Sequence, residues 1–233
     1  MTKKIDYSNI KYIFFDFDGV IVDTEKLHFD SFNQIISDYR VKITKKEYFD
    51  KYLSYDDKRC FKEVFLTKLN KKLSMSEIKF LINKKTKVLM KKIKQKLVVY
   101  HDTIQFINFI KKNFPEIKFG IVSGALKKEI SYVLTRLKIK KYFSFIISAE
   151  DVKKGKPNIE PFVKAKTVAE KILNKKLSKE EVMVIEDSIN GIIAAKNGGF
   201  IVVGVAHTYS LNLLKKIPNI LVVKNLSQLC KLC

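Results

Sequence analysis

The clearest pattern in the chain is at its start. Residues Lys11 to Glu25 read K-Y-I-F-F-D-F-D-G-V-I-V-D-T-E, an unbroken apolar and aromatic run that stops at Asp16 and Asp18, with Gly19 next. Such a run without polar alternation predicts a strand buried on both faces. Asp is disfavoured inside strands, so the two carboxylates belong at its exit. Five more runs of this kind follow, at Ile117–Val122, Tyr142–Ser148, Val182–Ile185, Ile201–Val205 and Ile220–Val223. Between them the apolar spacing changes to three and four residues. It predicts helices after Tyr100, over Leu126–Leu137, over Pro161–Leu173, through Ile192 to Ala195 and at the C-terminus. Strands alternating with helices in this way predict an α/β fold with a doubly wound parallel sheet.

One stretch breaks the alternation. From Thr24 to about Val99 there is no strand-like period; Leu27, Phe32, Ile35 and Ile36, then Tyr48, Tyr52 and Leu53, then Phe61, Val64, Phe65 and Leu69, then Ile78, Leu81, Ile82, Val88, Leu89 and Ile93 recur at helical spacing. Asp23 or Thr24 is suited to cap the first of these helices. The expected organisation is therefore a core of residues 1–24 and 100–233 with a small all-helical domain of residues 25–99 inserted as a lid, hinged near Thr24 and Tyr100.

Charge changes this picture little. The formal net charge of the 233 residues is +22, yet of the 46 basic residues only Arg40, Arg59 and Arg136 are arginine, and the lysines are spread along the chain. Specific nucleic-acid sites concentrate basic residues and rely on Arg for bidentate contacts, so no specific nucleic-acid partner is expected. No charged-plus-apolar leader precedes Asp16 and no run is long enough to span a bilayer, so the expectation is a cytoplasmic protein without membrane association. Three cysteines, Cys60, Cys230 and Cys233, show no disulfide framework and agree with a reducing compartment.

Chemistry gathers where the predicted strands end. Two Asp at i and i+2 leave a strand on one side, close enough to share a divalent cation and to act on one substrate atom. A carboxylate can be the nucleophile of a covalent phosphoryl transfer, with its neighbour as general acid and base. Ser123-Gly124 closes the second strand where a helix is expected to begin, a suitable anion site. Lys156 stands in a loop between Gly155 and Pro157, and Glu186-Asp187-Ser188 closes the fourth long strand with a second pair of acids.

The segment from Asp16 to Thr24 resembles motif I of the haloacid dehalogenase (HAD) superfamily, D-x-D-G-[VT]-[LI]-x-D-[ST]. Ser123-Gly124-Ala125 resembles motif II. Gly155-Lys156-Pro157 resembles motif III, with Asn158-Ile159 replacing its usual continuation, and E-D-S-x-x-G, ending at Gly191, resembles motif IV. The helical insertion lies where this superfamily places its first type of cap.

The resemblance implies a Rossmann-like HAD core and a Mg²⁺-dependent phosphatase acting on a small phosphorylated metabolite. It implies Asp16 as nucleophile, Asp18 as acid and base, and Ser123 and Lys156 as phosphoryl-stabilising groups. Gly19, Gly124 and His28 are implied at the substrate. Asp16, Asp187 and the Asp18 backbone carbonyl are implied as metal ligands, with Glu186 supporting them from behind. Dehalogenases of this pattern lack the second Asp, and phosphonate-cleaving members carry Ala there; Asp18 is present. A β-phosphoglucomutase-like mutase is the alternative, because His28 matches a His of that branch. In the mutase cap an Arg follows a Gly turn, whereas L-S-Y-D-D-K-R has Ser54 and Asp57 at those places. Tyr52, Lys58 and Arg59 are the expected specificity residues of the lid, and nothing in the sequence indicates an oligomeric state.

Overall fold

The structure is a computed structural model that describes residues 5–53 and 55–231. Its chain divides into two compact units, Met1–Val22 with Val99–Cys233, and Asp23–Val98. Ser54 and Cys233, both singled out in the sequence, lie outside the described residues.

The first unit is built on six strands, β1 (Tyr12–Phe15), β2 (Lys118–Val122), β3 (Phe143–Ile147), β4 (Val182–Glu186), β5 (Ile201–Val205) and β6 (Leu221–Val223). All pair in parallel, in the order β3-β2-β1-β4-β5-β6. The chain leaves β1 toward one edge and later crosses back to lay β4 on its other side. Ligands in open α/β sheets bind at this reversal, outside the carboxyl ends of the strands.

The apolar run of β1 is explained by what covers it. Tyr12 and Phe14 face a cluster with Phe162, Ala165, Ala169, Ile192 and Phe200, all buried. Phe15, on the opposite face, meets Phe106 and Phe119 with ring centroids 6.3 and 5.3 Å apart. Both faces are dry, so neither tolerates a polar residue until the strand ends. The register pairs Phe15 with Ile121 on one side and Ile185 on the other, which brings Asp16 level with the ends of β2 and β4.

The second unit is helical, with Glu25–Ile36, Asp57–Leu69 and Met75–Gln95 as its main elements. Phe32, Ile36, Phe61, Phe65, Ile78 and Leu81 form its core. Its helices start on expected signals: Asp56 accepts the Arg59 N–H, and Ser74 with Glu77 makes a reciprocal capping box.

Four local expectations need correction. Thr24 stands at the N-cap of the first helix, but its side chain makes no capping bond because its backbone is already helical. The spacing of Tyr48, Tyr52 and Leu53 belongs to a π turn, Tyr48–Tyr52, in which the Leu53 N–H reaches back to the Tyr48 carbonyl at 2.9 Å. Tyr52 is only 3% exposed within the helical core, so it packs this unit rather than facing a ligand. The terminal helix is a 3-10 segment, Leu226–Lys231.

Candidate active site

Asp16 follows β1 directly, and its N–H donates to the Ile185 carbonyl at 3.0 Å, locking the strand end to β4. Glu186 is the last residue of β4 and Asp187 the first beyond it. The three side chains are buried, and one carboxylate oxygen from each lies within 4.8 Å of the others. Lys156 reaches into this group from its loop. Its Nζ is 3.0 Å from Asp16 Oδ1 and 2.5 Å from Glu186 Oε1, and donates to the Val122 carbonyl at 2.8 Å.

The electrostatics follow from three acids and one ammonium out of water. Burial raises the Glu186 pKa to about 7, with the Asp16 charge adding to it and Lys156 opposing. Burial also pushes the Asp187 carboxyl well above its usual range, followed by repulsion from Asp16 and Glu186. For Lys156 burial alone would lower the pKa, but Asp16 and then Glu186 outweigh it and hold the ammonium above its ordinary value.

Two glycines make this packing possible. Gly19 has φ +76°, and a Cβ there would stand 1.8 Å from Asp187 Oδ2. A Cβ on Gly191 would stand 2.0 Å from Glu186 Oε1. Glu186 itself is fully engaged, because Oε1 accepts from Lys156 while Oε2 accepts from the Ser188 N–H and hydroxyl at 3.2 and 2.9 Å.

Asp187 Oδ1 differs. It is buried and accepts no hydrogen bond, and Asp16 Oδ1 meets Lys156 as an ion pair outside hydrogen-bond geometry. Unsatisfied buried carboxylate oxygens are costly. A hard, all-oxygen set of this kind fits a small divalent cation.

The other sequence-predicted residues are placed as follows. Ser123 lies just past β2, next in the chain to the carbonyl that Lys156 binds. It is buried; its N–H donates to Ile147, and its Oγ accepts the Ala125 N–H at 3.1 Å. The helix expected over Leu126–Leu137 runs over Lys127–Arg136, with Leu126 as its N-cap. Gly124 is exposed, with nothing within 4 Å of where a Cβ would be. Asp18 bridges to Val22 in the same tight loop as Gly19.

His28 lies in the helical unit, where Lys85 Nζ is 2.7 Å from its Nδ1 and 2.5 Å from Asp57 Oδ1. Sequence reasoning missed Lys85, which is 1% exposed, because a buried lysine looks like any other in a Lys-rich chain. It also missed Asp102, His207 and Thr208. The available signal was weak: His207 is one of three histidines and directly follows a predicted strand and one small residue.

Residues 13–205 match the model of the haloacid dehalogenase-like hydrolase family, which covers most of the chain and every member of the acidic group. The chain belongs to this family. The phosphorylated carbohydrates phosphatase of Thermotoga maritima is 26% identical over 197 residues, covering 84% of this chain and 85% of its own. Pyrophosphatase PpaX of Anoxybacillus flavithermus is 26% identical over 200 residues, covering 86% and 85%. Among solved structures, β-phosphoglucomutase of Clostridium difficile superposes with a TM-score of 0.78 at 27% identity, over 94% of this chain and 92% of its own. The six-stranded parallel sheet and the helical unit are the core and cap of the haloacid dehalogenase fold, and the chain is a phosphatase-type enzyme of that family. Among the described residues no helix is long and apolar enough to cross a membrane.

Proposed function

We propose that this chain is a Mg²⁺-dependent phosphomonoester hydrolase that works through a phosphoryl group carried on Asp16. The observation that carries this reading is the Lys156 ammonium set between Asp16 and Glu186, beside an Asp187 oxygen that lacks a partner. Asp16, Asp187 and the backbone carbonyl of Asp18 would hold the cation, which would supply positive charge against the phosphoryl oxygens.

The remaining work falls to side chains. The Asp16 carboxylate attacks phosphorus, and the bond from phosphorus to the substrate's ester oxygen breaks. Asp18 gives its proton to that leaving oxygen, releasing the alcohol. It then takes a proton from water, which attacks the phosphorus on Asp16 and frees both phosphate and the carboxylate. Lys156 balances the charge that builds on the phosphoryl oxygens, and the Ser123 hydroxyl donates to one of them. Glu186, with both oxygens occupied, holds Lys156 in place. Gly19 lets the backbone turn tightly beside the phosphoryl group, and Gly124 leaves open space next to Ser123.

The phosphatase of T. maritima named for phosphorylated carbohydrates supports a small phosphorylated metabolite as substrate. The helical unit is read as the cap, with exposed Lys58 and Arg59 as its specificity residues, and the enzyme is read as cytoplasmic. The likeness to a β-phosphoglucomutase favours a second reading, sugar-phosphate mutase. Against it, Asp57 stands where that branch has Arg, and here it binds Lys85 at 2.5 Å. A phosphomonoester panel assayed with Mg²⁺, with EDTA and with Asp16→Asn tests the proposal. Phosphate release that EDTA and the substitution both abolish supports it. Interconversion of β-glucose 1-phosphate and 6-phosphate without net release would replace it with the mutase.

A further inference from the structure

The loop that carries Asp18 is gripped by three successive carbonyls. His207 Nδ1 is 2.8 Å from the Gly19 oxygen, Thr103 Oγ1 donates to Val20 at 2.6 Å, and the Tyr100 N–H donates to Ile21 at 3.0 Å. A carbonyl can only accept, so Nδ1 carries a proton and donates. Tyr100 is the N-cap of helix His101–Asn113 and Thr103 lies in its first turn. His207 comes from the loop after β5, yet it is tied to the same turn: Nε2 lies 3.1 Å from Asp102 Oδ2, and the ring stacks on Tyr100 at 3.8 Å and 7°. Asp102 Oδ2 also accepts the Leu226 N–H at 2.7 Å, so the carboxylate that orients the ring is itself held. The next residue, Thr208, bonds Asp187.

This grip answers a problem that the site creates. Position 19 must be glycine, because φ is +76° and any Cβ would collide with Asp187. Glycine is the residue whose flanking peptide planes turn most freely. A turn of the Gly19–Val20 peptide would loosen the tight loop in which Asp18 bridges to Val22 and the Gly19 N–H donates to the Val22 carbonyl. The donor at Nδ1 pins that peptide by its oxygen, and the Asp102 carboxylate at the opposite nitrogen fixes the ring.

We propose that His207 is a positioning residue of the hydrolase, holding the tight loop that carries Asp18 in its working conformation through the Gly19 carbonyl, one residue past Asp18. This rests on the function proposed above for Asp16 and Asp18. Three substitutions separate the donor from the bulk of the ring. His207→Leu removes both bonds. His207→Gln can place an amide near Nε2, toward Asp102, without reaching Gly19. His207→Asn can place an amide N–H near the Nδ1 position and keep the bond to Gly19.

The experiment measures kcat and KM for a phosphomonoester with saturating Mg²⁺, together with thermal melting of each variant. The expected result is a fall in kcat of about 10- to 100-fold for Leu and Gln, the usual range for residues that orient a catalytic group from behind. KM should stay within about threefold, and Asn should return kcat to within about threefold of the unsubstituted enzyme. If the Leu variant does not fold, the contrast between Gln and Asn decides. Leu or Gln within twofold of the parent, or Asn as impaired as Gln, overturns the assignment while leaving the hydrolase reading intact. A parent enzyme whose phosphate release is insensitive to Asp16→Asn contradicts both.

Discussion

Lys156 Nζ stands 3.0 Å from Asp16 Oδ1, with both side chains 11% exposed. An ion pair this dry gains much from its partner and costs much when one member is removed. Lys156→Met should lower kcat by about 100- to 1000-fold, as loss of a preorganised group facing developing charge does elsewhere. It should also destabilise the metal-free protein by about 3 kcal/mol, since three buried acids would lose their one cation. Steady-state kinetics and urea unfolding in EDTA check the two parts separately.

The acids also predict a response to metal. With Asp187 Oδ1 unpaired, a divalent cation binds the folded state and not the unfolded one. At a free Mg²⁺ concentration a hundredfold above Kd the gain is about 2.7 kcal/mol, or a rise in melting temperature of about 5–10 °C for a chain of this size. Asp187→Asn should shrink that rise to near zero and stabilise the metal-free protein slightly, because it removes a repelling charge. Differential scanning calorimetry with and without Mg²⁺ measures both.

Gly191 and Gly124 should respond differently to the same methyl. At Gly191 the added Cβ would lie 2.0 Å from Glu186 Oε1, whereas at Gly124 nothing lies within 4 Å. Gly191→Ala should cost about 1–3 kcal/mol, as overpacked sites do, and should impair turnover by displacing Glu186 from Lys156. Gly124→Ala should change stability by less than about 0.5 kcal/mol. Chemical denaturation of the pair gives the comparison.

In the helical unit, His28 predicts a pH effect. Desolvation, and next the Lys85 charge, depress its pKa from 6.5 to about 3. Between these values the unfolded chain binds a proton that the folded one does not, so stability rises with pH and is lost as pH falls. The contribution is complete above about pH 7 and declines by about 2 kcal/mol on going from pH 7 to pH 5. His28→Gln should flatten the melting temperature across that interval relative to the parent.

The sequence made some of this legible and hid the rest for physical reasons. β1 could be read because burial on both faces forbids polar residues until Asp16, and the same holds for β4 up to Glu186. The reversal of strand order that makes these two ends neighbours depends on pairing between distant segments, and only the motif resemblance pointed to it. Lys156 was likewise visible through its setting between Gly155 and Pro157, since composition hides any single lysine here. The π turn at Tyr48 escaped because it answers to packing: the Tyr48 hydroxyl donates to Glu25 at 2.5 Å and its ring meets Phe29. His207 escaped because its partner, Gly19, is 188 residues away.

In the proposed mechanism Asp16 carries the phosphoryl group during turnover. The direct measurement is rapid acid quenching of the working enzyme with a phosphomonoester and Mg²⁺, followed by peptide mass spectrometry. The expected result is a peptide heavier by one phosphoryl group, with the modification on Asp16 and lost on exposure to hydroxylamine. Steady phosphate release with Asp16 unmodified, and undiminished in Asp16→Asn, would contradict it.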